Sequence, residues 1–345
     1  MGKRLVICCD GTWNTKRQTS PTNVVRFCDM IVPHGADGTE QRAFYHSGVG
    51  TGRWDRLRGG AFGFGLSRIV KDAYRIVVNN YDPGDELFFL GFSRGAFTAR
   101  STAGLIRNAG ILRRDQAAHI DDAYALYRTK EGPDAPAAVE FRRQYSLSDR
   151  TPIRFIGVWD TVGSLGIPNL GIPLLGPVAR WVNRRWAFHD VKLSSRVASA
   201  FQALSIDEAR RPFEPTLWQQ QPHSDGQQLA QVWFAGDHSD IGGGYADRRL
   251  AEIALWWLTA RARDCGLAFR DDPGEPLDES LATGPVHDSR TGLFRLIRPV
   301  VRRLGAVDPG HESAASSAIG RQRGGGYDPP GLAAYLAGTY HEAML

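Results

Sequence analysis

Gly91-Phe92-Ser93-Arg94-Gly95 sets a serine between two glycines at the spacing of a nucleophile elbow. A serine hydroxyl attacks poorly at neutral pH until an imidazole takes its proton, and the imidazole needs a carboxylate to orient it and stabilise its charged form. The chain offers both, each just past an apolar run. Asp160 follows the run at 153–159, and His238 follows the run at 229–234, within Ala235-Gly-Asp-His-Ser-Asp-Ile-Gly-Gly-Gly-Tyr245. These types suit acyl transfer through an acyl-enzyme: Ser93 attacks an ester carbonyl, His238 moves the proton and Asp160 holds the imidazole. The developing oxyanion would be held by the Arg94 N–H and by a second N–H after the first strand, from Gly11 or Thr12. Asp237 and Asp240 lie too near His238 in sequence to be its third member and are candidates for bracing it.

The serine must be lifted above a sheet, and the sequence around it reads as strand, turn and helix. Residues 87–90 are continuously apolar, as in a strand buried on both faces, and the small residues Ala96, Ala99, Ala103 and Gly104 allow the following helix to pack closely. Asn108 to Gly110 supply its stop signal. The first strand covers 4–9 and ends in Asp10-Gly11-Thr12-Trp13-Asn14. Asp10 is a further candidate for supporting the site, or a brace for loop N–H groups. Cys8 occupies the place of the first aspartate of a DxDGT phosphatase motif, so that chemistry is not indicated. A helix over 23–32, a strand over 42–45, a glycine-rich turn over 58–65 without a P-loop lysine, and a helix over 66–79 come next. Alternation of this kind predicts a doubly wound, mostly parallel α/β sheet.

Beyond the elbow, 111–150 reads as a helical insertion. The aromatic, basic stretch 165–190 reads as a lid, a core helix or a lipid-facing surface. Asp207 to Arg211 reads as a buried ion-pair seam or a solvated face. Residues 1–270 are thus expected to form one catalytic domain. Residues 271–345, rich in Asp, Pro, Gly, Ser and Arg, are expected to form an irregular extension wrapping it, with local disorder over 305–328 and a short helix from Gly331.

With 42 basic and 37 acidic residues spread along 345, the net charge of +5 is no nucleic-acid footprint. Cys8, Cys9, Cys28 and Cys265 have neither metal-ligand nor disulfide-framework spacing. No metal and no cofactor are expected. The five-residue apolar run near Met1 is too short for a signal peptide, and no stretch is long enough to span a bilayer. A reducing, cytoplasmic setting is expected, compatible with export by a route that needs no cleaved signal.

The blocks DGTWN (10–14), HSGVGTG (46–52), GFSRGAFTAR (91–100), VWDTVGSLGIP (158–168), ALSIDEARRPFEPTLW (203–218) and FAGDHSDIGGGY (234–245) resemble the α/β-hydrolase domain family that includes the catalytic domains of type VI secretion phospholipase effectors. The resemblance implies an α/β-hydrolase-like fold and lipid-ester hydrolysis of phospholipase A type. It places the family's serine, aspartate and histidine on Ser93, Asp160 and His238, in the Ser, Asp, His order of such hydrolases. It also implies an ester or lipid substrate and a peripheral membrane surface as partners. Two other readings stay open: a metal-dependent hydrolase using Asp10, Asp160, His238 and Asp240, and a non-catalytic hydrolase-like binding module.

Overall fold

A computed structural model describes residues 2–11, 14, 16, 18–48, 62–129, 131–163, 192–222, 224–270 and 279–345. The stretch 165–190 and residues 58–61 of the expected glycine-rich turn lie outside the described residues, while 62–65, expected as turn, are helical, so the helix expected over 66–79 begins at Phe62. One eight-stranded sheet organises the rest, in the order β2-β1-β3-β4-β5-β6-β7-β8. Its strands are β1 (Arg4–Cys9), β2 (Gln41–His46), β3 (Glu86–Phe92), β4 (Ile153–Trp159), β5 (Val197–Ser205), β6 (Gln228–Phe234), β7 (Glu312–Ala315) and β8 (Glu342–Ala343). Every neighbouring pair runs parallel.

Parallel strands need helical crossovers, and helices cover both faces. Side chains of β1 alternate between them. Val6 and Cys8 meet the cluster built on α1 (Asn23–Met30) and α7 (Arg249–Asp264), while Leu5, Ile7 and Cys9 meet the one built on α2 (Phe62–Asn80), α3 (Arg94–Ala109) and α4 (Ile120–Tyr127). Both faces being buried explains why 5–9 of β1, 87–92 of β3 and 155–159 of β4 read as runs without a charged residue. The remaining helices are α5 (Pro136–Tyr145), α6 (His238–Gly242), α8 (Ser316–Arg323) and α9 (Pro330–Leu336). The region 111–150 contains α4 and α5.

The sheet grows in one direction from β1 to β2 and in the other from β1 to β3. The strand order therefore reverses at β1/β3, and a crevice opens there at the carboxyl ends. Gly11 and Ser93 sit at that point.

The C-terminal region is more regular than its composition predicts. Instead of local disorder, 305–328 contains β7 and α8, and β8 closes the sheet. The reason is a buried acid. Glu312 of β7 accepts the Trp233 indole N–H (3.0 Å) and the N–H groups of Gly305 (2.8 Å), Val307 (2.9 Å) and Asp308 (2.8 Å). A strand of sequence ESAA has no apolar pattern, so only its tertiary partners define it.

Candidate active site

The two elbow glycines are required by contact. A Cβ on Gly91 would fall 2.5 Å from the Gly95 carbonyl oxygen, and one on Gly95 would fall 2.1 Å from the Cys9 carbonyl oxygen. Between them Ser93 takes φ 58°, ψ −121°, a region that costs a non-glycine residue about 1–3 kcal/mol. Two hydrogen bonds hold it there: Ser93 N–H to the Trp159 carbonyl (3.0 Å), and Phe97 N–H to the Ser93 carbonyl (3.3 Å). Arg94 is the first residue of α3, so the positive end of that helix lies beside the serine.

Ser93 and His238 line one cavity of about 480 Å³, together with Arg94, Arg210, Phe213 and Asn14. His238 is the first residue of α6. Asp237 caps that helix, accepting the N–H groups of Ser239 (2.8 Å) and Asp240 (2.9 Å), while Asp240 accepts the Asp237 N–H (3.0 Å). Phe92 and Phe213 wall the imidazole, with ring centroids 4.6 and 5.0 Å away. Its Nδ1 lies 2.6 Å from Asp160 Oδ2.

Asp160 is fully buried and also has positive φ, 38°. Burial pushes its carboxyl up, but the Arg302 guanidinium and His238 outweigh that and hold it well below the usual carboxylate range. Arg302 donates from Nη1 to Oδ1 (2.5 Å) and from Nη2 to Oδ2 (3.0 Å), and the Ser205 N–H reaches Oδ1 (3.1 Å). A depressed folded-state pKa stabilises the protein above the unfolded carboxylate value of ~3.9, and that contribution is lost as pH falls through the folded value. Asp160→Asn is therefore expected to cost ~3–5 kcal/mol at pH 7, where it strands a buried arginine, and less as the pH drops below ~4. Urea midpoints of both proteins at pH 7 and pH 3 check this; an equal gap at both values would refute it.

The other predicted residues divide. Asp10 is buried and accepts the Tyr45 hydroxyl (2.7 Å), the Thr22 hydroxyl (2.9 Å) and the Gly11 N–H (2.7 Å), with burial leaving its carboxyl above the usual range. It is the loop brace. The Gly11 N–H, expected as an oxyanion donor, is thus directed at Asp10, although Gly11 itself stands against Ser93. Thr12 lies outside the described residues. Asp237 accepts the Tyr245 hydroxyl (2.7 Å), and Asp240 meets Nδ1 of His287 (2.7 Å), so both brace α6. Asp10, Asp160 and Asp240 each face different partners, and no three His, Cys, Asp or Glu among the described residues form a ligand set.

Within Asp207 to Arg211, Glu208 is buried, Asp207 and Arg210 are half-buried, and Arg211 is exposed. Glu208 pairs with Arg210 (2.8 Å), accepts the Ser289 hydroxyl (2.9 Å), and lies 3.4 Å from the His238 amide nitrogen, which donates to it. Burial raises the Glu208 carboxyl, and Arg210 brings it below the ordinary value. Arg210 in turn lies 3.7 Å from the centroid of the Phe213 ring.

Arg302 escaped the sequence reading because Arg302-Arg303 looks like a charge cluster in solvent. A usable signal was present. In Val300-Val-Arg-Arg-Leu304, Arg302 shares its parity with Leu304, and both are buried while Val301 and Arg303 are exposed.

Residues 3–261 match the family described as T6SS, phospholipase effector Tle1-like, catalytic domain. An uncharacterized protein of Saccharomyces cerevisiae is 26% identical over 245 residues, which are 64% of this chain and 33% of that protein. The chain therefore spans about a third of the length of that relative. Similar solved structures include an uncharacterized protein from Pseudomonas aeruginosa (TM-score 0.48, 16% identity, 82% of this chain and 50% of that one). The Tle1 effector bound to the VgrG spike gives 0.38, with 20% identity over 71% of this chain and 51% of that one. A thermophilic esterase from Thermogutta terrifontis gives 0.40, with 14% identity over 78% and 85%. With three quarters of its length matched by one family, the chain belongs to the Tle1-like phospholipase effector catalytic-domain family of type VI secretion.

Proposed function

We propose that the protein is a serine hydrolase that cleaves carboxylic esters of phospholipids, phospholipase A-like, with Ser93 as nucleophile, His238 as base and Asp160 as its orienter. The observation that carries the reading is the Nδ1 to Asp160 bond at 2.6 Å on a histidine sharing its cavity with an elbow serine. With Nδ1 engaged, Nε2 is the nitrogen left to take the Ser93 proton. The alkoxide attacks the ester carbonyl, and the oxyanion collects at the start of α3 by the Arg94 N–H. His238 then protonates the leaving alcohol, and water repeats the sequence on the acyl-enzyme.

Family membership supports a lipid substrate, and the cavity chemistry agrees with it. Phe92 and Phe213 offer apolar walls for an acyl chain, and Arg94 and Arg210 offer cationic ones for a phosphate. Among the described residues no helix is long and apolar enough to cross a membrane. A peripheral membrane surface is, in this reading, where the protein meets lipid. In this reading 1–270 carries the nucleophile, base and acid, and 271–345 completes the support around them.

Phospholipid vesicles incubated with the protein, with and without chelator, test the proposal by the masses released. Free fatty acid and lysophospholipid, insensitive to chelator, are the expected products. Diacylglycerol or phosphatidic acid, or a chelator-dependent reaction, would overturn it.

A further inference from the structure

We infer that Arg302 is a positioning residue of the hydrolytic site: it locks the Asp160 carboxylate beneath His238 and fixes the wall against which the imidazole rests. The inference rests on the proposed roles of Ser93, Asp160 and His238. It concerns a residue outside the part matched by the family, residues 3–261.

One guanidinium spans three elements. It bonds both oxygens of Asp160, at the end of β4, and through Nη1 it also donates to the Ser205 carbonyl at the end of β5 (2.8 Å). Through Nη2 it donates to the Phe213 carbonyl (2.6 Å), the residue whose ring stands edge-on to His238. A planar fork that grips both carboxylate oxygens allows one orientation, which lysine cannot reproduce. Arg302 is 5% exposed, and its backbone is wedged as firmly. The Val300 N–H bonds the Ala209 carbonyl (3.0 Å), and Gly331 packs so closely that a Cβ there would lie 2.3 Å from the Arg302 carbonyl oxygen.

Positioning has a second, electrostatic side. The Asp160 carboxylate divides its charge between the guanidinium and the imidazole, so removing Arg302 leaves more of that charge facing the ring. The other charged groups near that ring are Glu208 and Arg210 on the loop after β5, Asp237 and Asp240 on or beside α6, and Arg94 on α3. All of these persist when Arg302 alone is changed.

The test is the pH profile of kcat/KM on a soluble short-chain ester, for wild type, Ser93→Ala, Arg302→Gln and Arg302→Lys. Arg302→Gln is expected to lower kcat/KM about 10- to 100-fold and to move the acid limb up by roughly one pH unit. Arg302→Lys keeps the charge, so its acid limb should stay near that of the wild type while kcat falls about tenfold with little change in KM. A folded Arg302→Gln with an unmoved limb and kcat/KM within about threefold of wild type would overturn the inference. Should Arg302→Gln not fold, the lysine variant decides: unchanged kcat overturns the inference, and a fall confined to kcat supports it. Activity that survives Ser93→Ala would instead bring down the serine-hydrolase reading, and the inference with it. Ser93-dependent activity indifferent to Arg302 would remove the inference alone.

Discussion

Ser93→Ala is expected to lower turnover by roughly four to six orders of magnitude and to abolish labelling by a fluorophosphonate, with the urea midpoint little changed. The stability expectation follows from the geometry. Alanine at φ 58°, ψ −121° carries the same backbone strain as serine, and the Ser93 bonds to Trp159 and Phe97 are made by its backbone. On the proposed mechanism the covalent intermediate disappears, whereas the start of α3 and the cavity remain to give a weak residual rate over water. Chelator should leave wild-type labelling intact. A variant that keeps most of its turnover would exclude Ser93 as nucleophile, and a folded wild type that resists the probe would favour a metal-dependent or non-catalytic reading.

Gly95→Val is expected to disrupt the structure that carries the elbow. The first added carbon would sit 2.1 Å from the Cys9 carbonyl oxygen and 2.5 Å from that of Asp10, both backbone atoms at the carboxyl end of β1, a strand paired on both sides. Neither can turn aside like a flexible side chain. Helix α3 must back away from β1, at a cost of several kcal/mol, on the order of 3 or more. The same retreat carries Ser93 off its position, and displacements of about 1 Å at a reacting atom cost ~100-fold in rate. Gly132→Val is the matched control, since no heavy atom lies within 4 Å of the added carbon and that glycine has no positive φ. Thermal unfolding of the two variants should separate them clearly; similar melting temperatures would contradict the close contact.

Local chemistry made the centre of the fold legible. The elbow glycines, the apolar runs of β3, β4 and β6, and the Asp and His that follow two of them are readable because each is defined by its neighbours in sequence. What stayed hidden is defined across the chain. Arg302 meets Asp160 over 142 residues, and Glu312 meets Trp233 over 79, so neither acquires its role from its surroundings in sequence. The same reason applies to Gly11: its proximity to Ser93 follows from the pairing of β1 with β3, but the direction of its N–H is set by the Asp10 carboxylate. Buried polar pairs obey satisfaction of charge and hydrogen bonds, which periodicity does not encode.

The bond between Asp160 and Arg302 also imposes an order in time. A ribosome adding ~5–20 residues per second makes Ser93 and Asp160 many seconds before it makes the arginine that secures the Asp160 carboxylate. Through that interval the growing chain carries Ser93 and Asp160 without the means to hold them in register, so the proposed site stays unassembled while the polypeptide is being made. Nascent chains stalled short of residue 302 are accordingly expected to label with a fluorophosphonate at least about tenfold more slowly than full-length chains, on the order of the loss argued for Arg302→Gln. Equal labelling rates would show that the site assembles without its last partner.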